Sequence, residues 1–452
     1  MQNQQGNESF IDQYKCYLDA GDLTGCLAVL QELQPFDMAA LFVSLEPTQQ
    51  PQLLRMLDTE LLADMMQELS PHAQYDAFRL LGRNRTTEVM DRMDNDDLAL
   101  FLDALSEEDR NRFLANMDAE ESENVQRLMN YPPETAGRIM TNRYVWIPLY
   151  YSVKEAVEKI REFAEISETL SYLYVIDEMK KLIGVVSYRD LILADASDKI
   201  ADIMYTRVIS VTVDTDQEEV ADIMRRYDFL ALPVVDEAQI LSGIVTVDDI
   251  MDVIVHEANE DIHKLSGGAK GIDFDTKPGT AAVRRLPWLI LLLFIGLVSG
   301  TIISRFEDTL NQIVALAFFM PMIAGMTGNT GTQSLAVVVR GLISREMDKK
   351  EMFKLVKREF TVGLLIGLTC GVLVTIIAYV WQGSITLGLV VGASLLVTLI
   401  LGTLAGTVIP LLLNKLKIDP AIASGPLITT LNDVLSLLIY FGIATAFLSY
   451  LL

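Results

Sequence analysis

Two regimes of hydrophobic patterning divide the chain. After position 285 come five apolar stretches: Leu286–Ser304, Leu310–Val339, Thr361–Trp381, Ile385–Leu413 and Ala421–Leu452. Each can cross about 30 Å of hydrocarbon as a helix. The second is rich in Gly and is expected to be bent or irregular. Before position 285 the apolar period is shorter. Residues 35–131 read as amphipathic segments of roughly 10 residues, such as "ELLADMMQEL" and "DDLALFLDAL". Pro47, Pro51, Ser70-Pro71, Gly82, Asn95 and Ser106 punctuate them. This predicts a small all-α solenoid whose Met and Leu stripes are core.

Residues 140–255 carry an internal repeat. "YLYVIDEMKKLIGVVSYRDLI" matches "LALPVVDEAQILSGIVTVDDIM". Gly184, Ser187 and Asp190 align with Gly243, Thr246 and Asp249 at a constant offset of 59. Each unit opens with Ile-Met and predicts strand–helix–strand–strand–helix, an α/β module. The expected organisation is multi-domain: a helical solenoid over 1–135, the α/β pair over 136–255, an acidic connecting helix and linker over 256–284, and five transmembrane helices over 285–452.

Charge sharpens this division. After position 283 there are 8 acidic and 12 basic residues; before it there are 53 and 24. So acidic a surface repels phosphates, which excludes nucleic acid as a partner, and it is compatible with cations. Three cysteines form no CxxC and imply neither zinc nor a disulfide framework. The N-terminus has no basic region followed by an apolar one, so it is not read as a signal peptide. The acidic half is therefore expected in the cytoplasm. The loop "RGLISREMDKKEMFKLVKRE" and "NKLK" then fall inside, and the sparsely basic "RFEDT" and "WQGS" outside. The positive-inside rule agrees with a cytoplasmic N-terminus, five spans of the cell membrane and an external C-terminus. An odd number of spans excludes two equal halves folded as an internal repeat, so a symmetric pore, if there is one, is more naturally made by a homodimer.

Candidate chemistry concentrates at Asp433, the one charged residue between Pro420 and Leu452. An intramembrane carboxylate is costly and ordinarily marks a pathway. Thr429 and Ser436 share its helix face, while Asn432 points about 100° away. On the second span, Gly325, Asn329 and Gln333 lie four residues apart on one face. Helix packing through small residues is the alternative reading of the glycines. Without His or Cys nearby, Asp433 suits a hard oxygen-liganded cation such as Mg²⁺. In the connector, Asp249, Asp252, His256, Glu260 and His263 share one face, with Glu257 and Asp261 beside it. Glu260-x-x-His263 is half of a di-iron motif whose second half is missing.

The repeat resembles a tandem pair of CBS domains, since both copies carry Gly-x-x-Ser/Thr-x-x-Asp. That resemblance implies an adenine nucleotide, ATP, held by Ser187, Asp190 and Thr246. Arg189 is a candidate phosphate partner. Tyr172 and Phe229–Leu230 would form an adenine slot, with Pro233 completing the candidate set. The alternative is a dimerisation module with no nucleotide. Across the whole chain, "GNTGTQS" and "DPAIASGPLITTLNDVLSLLIYF" resemble the MgtE family of magnesium transporter channels, at Pro321, Asn329, Gly331, Gln333 and Asp433. The resemblance implies a homodimer whose pore is lined by spans two and five. It also implies that cytosolic Mg²⁺ closes the pore by bridging Asp96, Glu218, Asp228, Asp249, Asp252, Glu257, Glu260 and Asp261, and Asp419 is placed to join them. Two alternatives remain: a broader divalent transporter carrying cobalt or nickel, and a CBS-regulated membrane sensor that conducts nothing. No triad, P-loop or metal-hydrolase spacing suggests an enzyme.

Overall fold

The computed structural model describes residues 2–163, 171–268, 272, 276–344 and 348–451. Part of the expected linker, and Arg345 of the basic loop, lie outside the described residues. The chain forms two compact units, Met1–Val255 and His256–Leu452.

In the first unit, ten helices run from Gln2–Asp19 to Ala119–Met129. Helix formation therefore reaches further toward the N-terminus than the solenoid pattern beginning at 35. Short polar caps set the boundaries. The side chains of Asp22, Asp58, Ser106 and Asp118 each accept a backbone N–H in the first turn of the following helix. Proline occupies the first turn at Pro35, Pro51 and Pro71, where its missing N–H costs nothing. Met38, Leu53, Met65, Met66, Val89, Met90 and Leu98 are buried in one core. That core continues into Val220, Met224, Leu232 and Val245 of the second α/β repeat.

The repeats fold alike. Strands β1 (Trp146–Pro148), β2 (Tyr172–Ile176) and β3 (Leu182–Ser187) form one sheet; β4 (Val211–Thr212), β5 (Ala231–Val235) and β6 (Leu241–Thr246) form the other. In each, the first pair is parallel and the second antiparallel. Gly184 faces Val175, and Gly243 faces Val234, the same register 59 residues on. A Cβ at Gly243 would lie 2.7 Å from the Met140 sulfur, and one at Gly184 would crowd the Met204 sulfur. The methionine that opens each repeat thus packs on the glycine of the other. This explains both the Ile-Met openings and the glycine of the signature.

The second unit is helical. Among the described residues, four of its helices are long and apolar enough to cross a membrane: Pro278–Arg305, Lys349–Gln382, Ile385–Lys415 and Gly425–Ala446. A fifth long helix, Ala315–Ser344, is more polar because "GNTGTQS" interrupts it. The sequence pattern differs from this in three respects. The second apolar stretch does not begin its helix at Leu310, which belongs to a short helix, Glu307–Gln312; the long helix starts at Ala315. That long helix is continuous despite Pro321 and its glycines. Close neighbours explain this: Gly328, Gly331 and Thr327 press against Thr429, Asn432 and Gly402, and such packing supports an irregular sequence in helical form. The last stretch is likewise divided, into a 3-10 turn Pro420–Ile422, the helix Gly425–Ala446 and a short helix Leu448–Leu451.

Ile385–Lys415 is the packing centre. Gly363, Gly367 and Gly371 of Lys349–Gln382 meet Thr403, Leu396 and Gly392 of this helix with no room for a Cβ. Thr375 Oγ1 donates to Gly388 O at 3.0 Å across the same seam. Glycines every four residues let backbones approach and hydroxyls bridge them.

Candidate functional site: a polar helix pair and two acidic clusters

Within the second unit, Ala315–Ser344 packs antiparallel to Gly425–Ala446. Tyr440 OH donates to Leu316 O at 2.9 Å, Asn432 Nδ2 to Thr327 O at 3.4 Å, and Gly425 lies beside Thr332. Pro321, Gly325, Asn329 and Gln333 form an exposed stripe on one side of the first helix. The opposite side, with Ile323, Thr327, Thr330 and Ser334, is buried. Asp433 is half-buried, next to the fully buried Asn432, and therefore at the level of Thr327. Among the described residues Asp433 forms no ion pair. Thr429, predicted on the Asp433 face, packs against Gly328. Ser436 is buried, and its hydroxyl donates to the Asp433 carbonyl at 3.1 Å. Asn432, which pattern alone set aside, joins the two helices.

One more buried carboxylate belongs to this unit. Glu359 is 3% exposed and accepts from Ser334 Oγ at 2.9 Å. The sequence pattern counted it within a basic loop.

The connecting helix Val247–Leu265 carries the predicted acidic face. Its C-terminal part lies in the second unit, where Lys264 Nζ is 3.2 Å from Glu260 Oε1 and 2.7 Å from Asp419 Oδ2. Asp419 Oδ1 also accepts from Ala421 N at 2.8 Å, capping the turn before the last long helix. Burial, and then the Asp419 charge, hold Asp261 above the ordinary carboxylate range. Burial lowers the Lys264 pKa, but its bonds to Asp419 and Glu260 outweigh that and raise it. Glu257 is half-buried on the same helix.

In the first unit a second cluster forms around Asp249. Burial pushes Asp97 up to about 7, helped by Asp249, Asp94, Glu68 and Asp248. Burial pushes Asp249 to about 6; the Thr246 hydroxyl opposes this, and Asp248, Asp94 and Asp252 add to it. Asp96, the residue singled out by resemblance, is buried at 4% exposure. Its neighbour Asp97 feels the Asp249 charge, which adds to its raised pKa. Glu218 and Asp228 stand exposed at opposite ends of the helix Gln217–Tyr227, Asp228 as its left-handed cap. The fold does not bring these two together.

Hard oxygen donors gathered together suit a divalent cation of the Mg²⁺ type; at Asp97 and Asp249 burial first, and then the neighbouring carboxylates, disfavour the charged form. Among the described residues, no three acidic, His or Cys side chains converge into a preformed metal shell.

The two signature copies are built alike but exposed differently. Ser187 Oγ donates to Asp190 Oδ2 at 2.6 Å, and Thr246 Oγ1 to Asp249 Oδ2 at 2.5 Å. Asp190 and Arg189 are exposed; Thr246 is buried, and Asp249 belongs to the acidic cluster. The first copy thus leaves its carboxylate exposed, and the second places its own near Asp97. Tyr172 and Phe229 are half-buried, while Pro233 is buried within β5.

Comparison with known proteins covers most of the chain. Residues 320–443 match the family model "Divalent cation transporter" (MgtE). Residues 33–134 match the MgtE intracellular N domain, and 136–197 and 200–256 match the CBS domain. The magnesium transporter MgtE of Bacillus subtilis is 57% identical over 428 residues, 95% of each chain. That of Thermus thermophilus is 39% identical over 433 residues, covering 94% of this chain and 96% of the relative. A crystal structure of the cytosolic domain of the Mg²⁺ channel MgtE in complex with ATP superposes with a TM-score of 0.52 at 38% identity, covering 54% of this chain and 99% of that one. The chain belongs to the MgtE family of divalent cation transporters.

Proposed function

We propose that this protein carries Mg²⁺ across the cell membrane as a homodimer, through a pore lined by Ala315–Ser344 and Gly425–Ala446. All five long helices span the membrane on this reading, with the N-terminus in the cytoplasm and the C-terminus outside. The observation that carries it is Asp433, a half-buried carboxylate without an ion pair among the described residues, on a helix packed against the buried side of the helix whose other side carries the exposed Asn329 stripe. Two such carboxylates across a dimer axis repel each other, and a hydrated divalent cation between them removes the repulsion. The names of the relatives support Mg²⁺ as the cargo. Loss of Mg²⁺ flux in liposomes on Asp433→Ala, with folding intact, tests the pore role.

Gating follows from the two acidic clusters. At high cytosolic Mg²⁺, ions bound by Asp97, Asp249 and Asp252, and by Glu257, Glu260, Asp261 and Asp419, hold the closed arrangement. At low Mg²⁺ the bridging ions leave, the excess of carboxylates repels and the pore opens. Each ion is a ligand with higher affinity for the closed state. ATP bound at Ser187, Arg189 and Asp190 strengthens closure, a reading supported by the exposure of Asp190 and by the ATP complex of the related domain. Asp190→Ala should abolish any effect of ATP on flux while leaving Mg²⁺ gating in place. The family description, divalent cation, favours one second reading: cobalt and nickel share the pathway. Competition of Mg²⁺ flux by each ion separates the two.

A further inference from the structure

A cavity of about 220 Å³ lies in the first unit, lined by residues of the helices Asn95–Asp103 and Ala119–Met129 and of the segment around β1. None of the residues assigned above to nucleotide or Mg²⁺ lines it. Three carboxamides converge there, from Asn95, Asn124 and Asn142, together with the Glu121 carboxylate. Asn95 is 1% exposed. Its Nδ2 donates to Glu121 Oε2 at 2.9 Å and to Asn142 Oδ1 at 2.8 Å. Glu121, an acceptor, fixes which end of the amide is which. The Asn95 oxygen is then a buried acceptor without a hydrogen-bond partner. Buried polar atoms are nearly always paired, so an orphan in a cavity wall calls for a donor.

The other walls narrow the identity of that donor. Trp146 and Phe163 contribute aromatic surface, and Lys159 Nζ stands 4.9 Å from the first ring centroid and 4.4 Å from the second. Arg143 lines the cavity as well, 3.5 Å from Asp94 and 3.9 Å from Glu121. Glu121, the one carboxylate among the described lining residues, already pairs with Arg143, and Lys159 adds a further cation, so a cationic amine is disfavoured. A neutral N–H donor on a flat, stackable ring fits all the walls together. Asparagine amides read the amino edge of adenine, and aromatic side chains stack on bases. The volume is below the roughly 300–1,000 Å³ of drug-sized sites, which suits one ring system with any phosphate outside, toward Lys159.

We infer that this cavity binds the amino-bearing base of an adenine compound, at a site separate from the Ser187–Asp190 cleft. The occupant would join the helical layer to the first α/β repeat and so stiffen the part of the protein that carries Asp97.

Full-length protein in detergent, titrated with adenosine by calorimetry, tests this. Asp190→Ala serves as the background, so that failure of the ATP reading cannot be mistaken for failure of this one. One adenosine per chain should bind in that background. Inosine, which replaces the amino group with a carbonyl, should bind at least tenfold more weakly. Asn95→Leu should weaken adenosine at least tenfold. Asn124→Leu, at a half-buried position, should do the same and stands in if the first variant does not fold. Absence of adenosine binding in the Asp190→Ala protein, equal binding of inosine, or no effect of Asn124→Leu overturns the inference.

Discussion

Lys264 Nζ is 2.7 Å from Asp419 Oδ2, so an ammonium on the connecting helix is tied to the residue that caps the turn before the Asp433 helix. The same ammonium is 3.2 Å from Glu260. The chain thus carries its own monovalent cation among carboxylates that the gating proposal assigns to Mg²⁺. Lys264→Gln should lower the melting temperature of the full-length protein without Mg²⁺, by a pair energy of about 1 kcal/mol. It should also enlarge the stabilisation that added Mg²⁺ provides, because Glu260, Asp261 and Asp419 are left with less compensation. Unchanged melting in both conditions would show that the pair neither holds the helix nor competes with the ion.

The cluster at Asp97 predicts a pH dependence with a definite sign. Its folded pKa, about 7, and that of Asp249, about 6, lie above the unfolded value near 4. The folded state therefore holds more protons than the unfolded state between about pH 4 and 7, and without Mg²⁺ stability falls as pH rises through that window. Asp97→Asn removes one of these charges. The variant should be more stable than wild type at pH 7.5 without Mg²⁺, by an amount on the order of a few kcal/mol at most. Its melting temperature should respond less to Mg²⁺. A variant less stable than wild type at pH 7.5, with an undiminished Mg²⁺ response, would contradict the cluster's role.

Gly331 and Gly325 stand on one helix in opposite situations. A Cβ at Gly331 would collide with Asn432 Nδ2 and lie 3.1 Å from Gly402 O, whereas a Cβ at Gly325 meets nothing within 4 Å. Gly331→Ala should cost about 1–3 kcal/mol through overpacking at the crossing of three helices. Gly325→Ala should leave folding unchanged. Detergent melting curves of the two variants check this, and equal curves would contradict the packing at Asn432.

The sequence carried the features that depend on period and offset. The 59-residue repeat became the shared register of β2–β3 and β5–β6, and the four-residue spacing of Gly325, Asn329 and Gln333 became an exposed stripe. Partners distant in sequence were not legible. Nothing local pairs Lys264 with Asp419, although its spacing from Glu260 is the i, i+4 of a helical ion pair. In "DNDDL" three aspartates stand within four residues at a helix start, and only tertiary packing decides that Asp97 faces Asp249. Glu359 reads as part of a charged loop because its burial depends on Ser334 of another helix. The helix break before Ala315 is hidden for a related reason: Leu310 and Ile313 are as apolar as a span requires.

The most direct test of the central claim is Mg²⁺ flux into liposomes containing full-length protein, wild type against Asp433→Ala, across a range of internal Mg²⁺. Wild type should conduct at low internal Mg²⁺ and close as it rises, and Asp433→Ala should show no flux at any concentration while melting as wild type does. Undiminished flux through a folded Asp433→Ala protein would contradict the assignment of Asp433 to the pore.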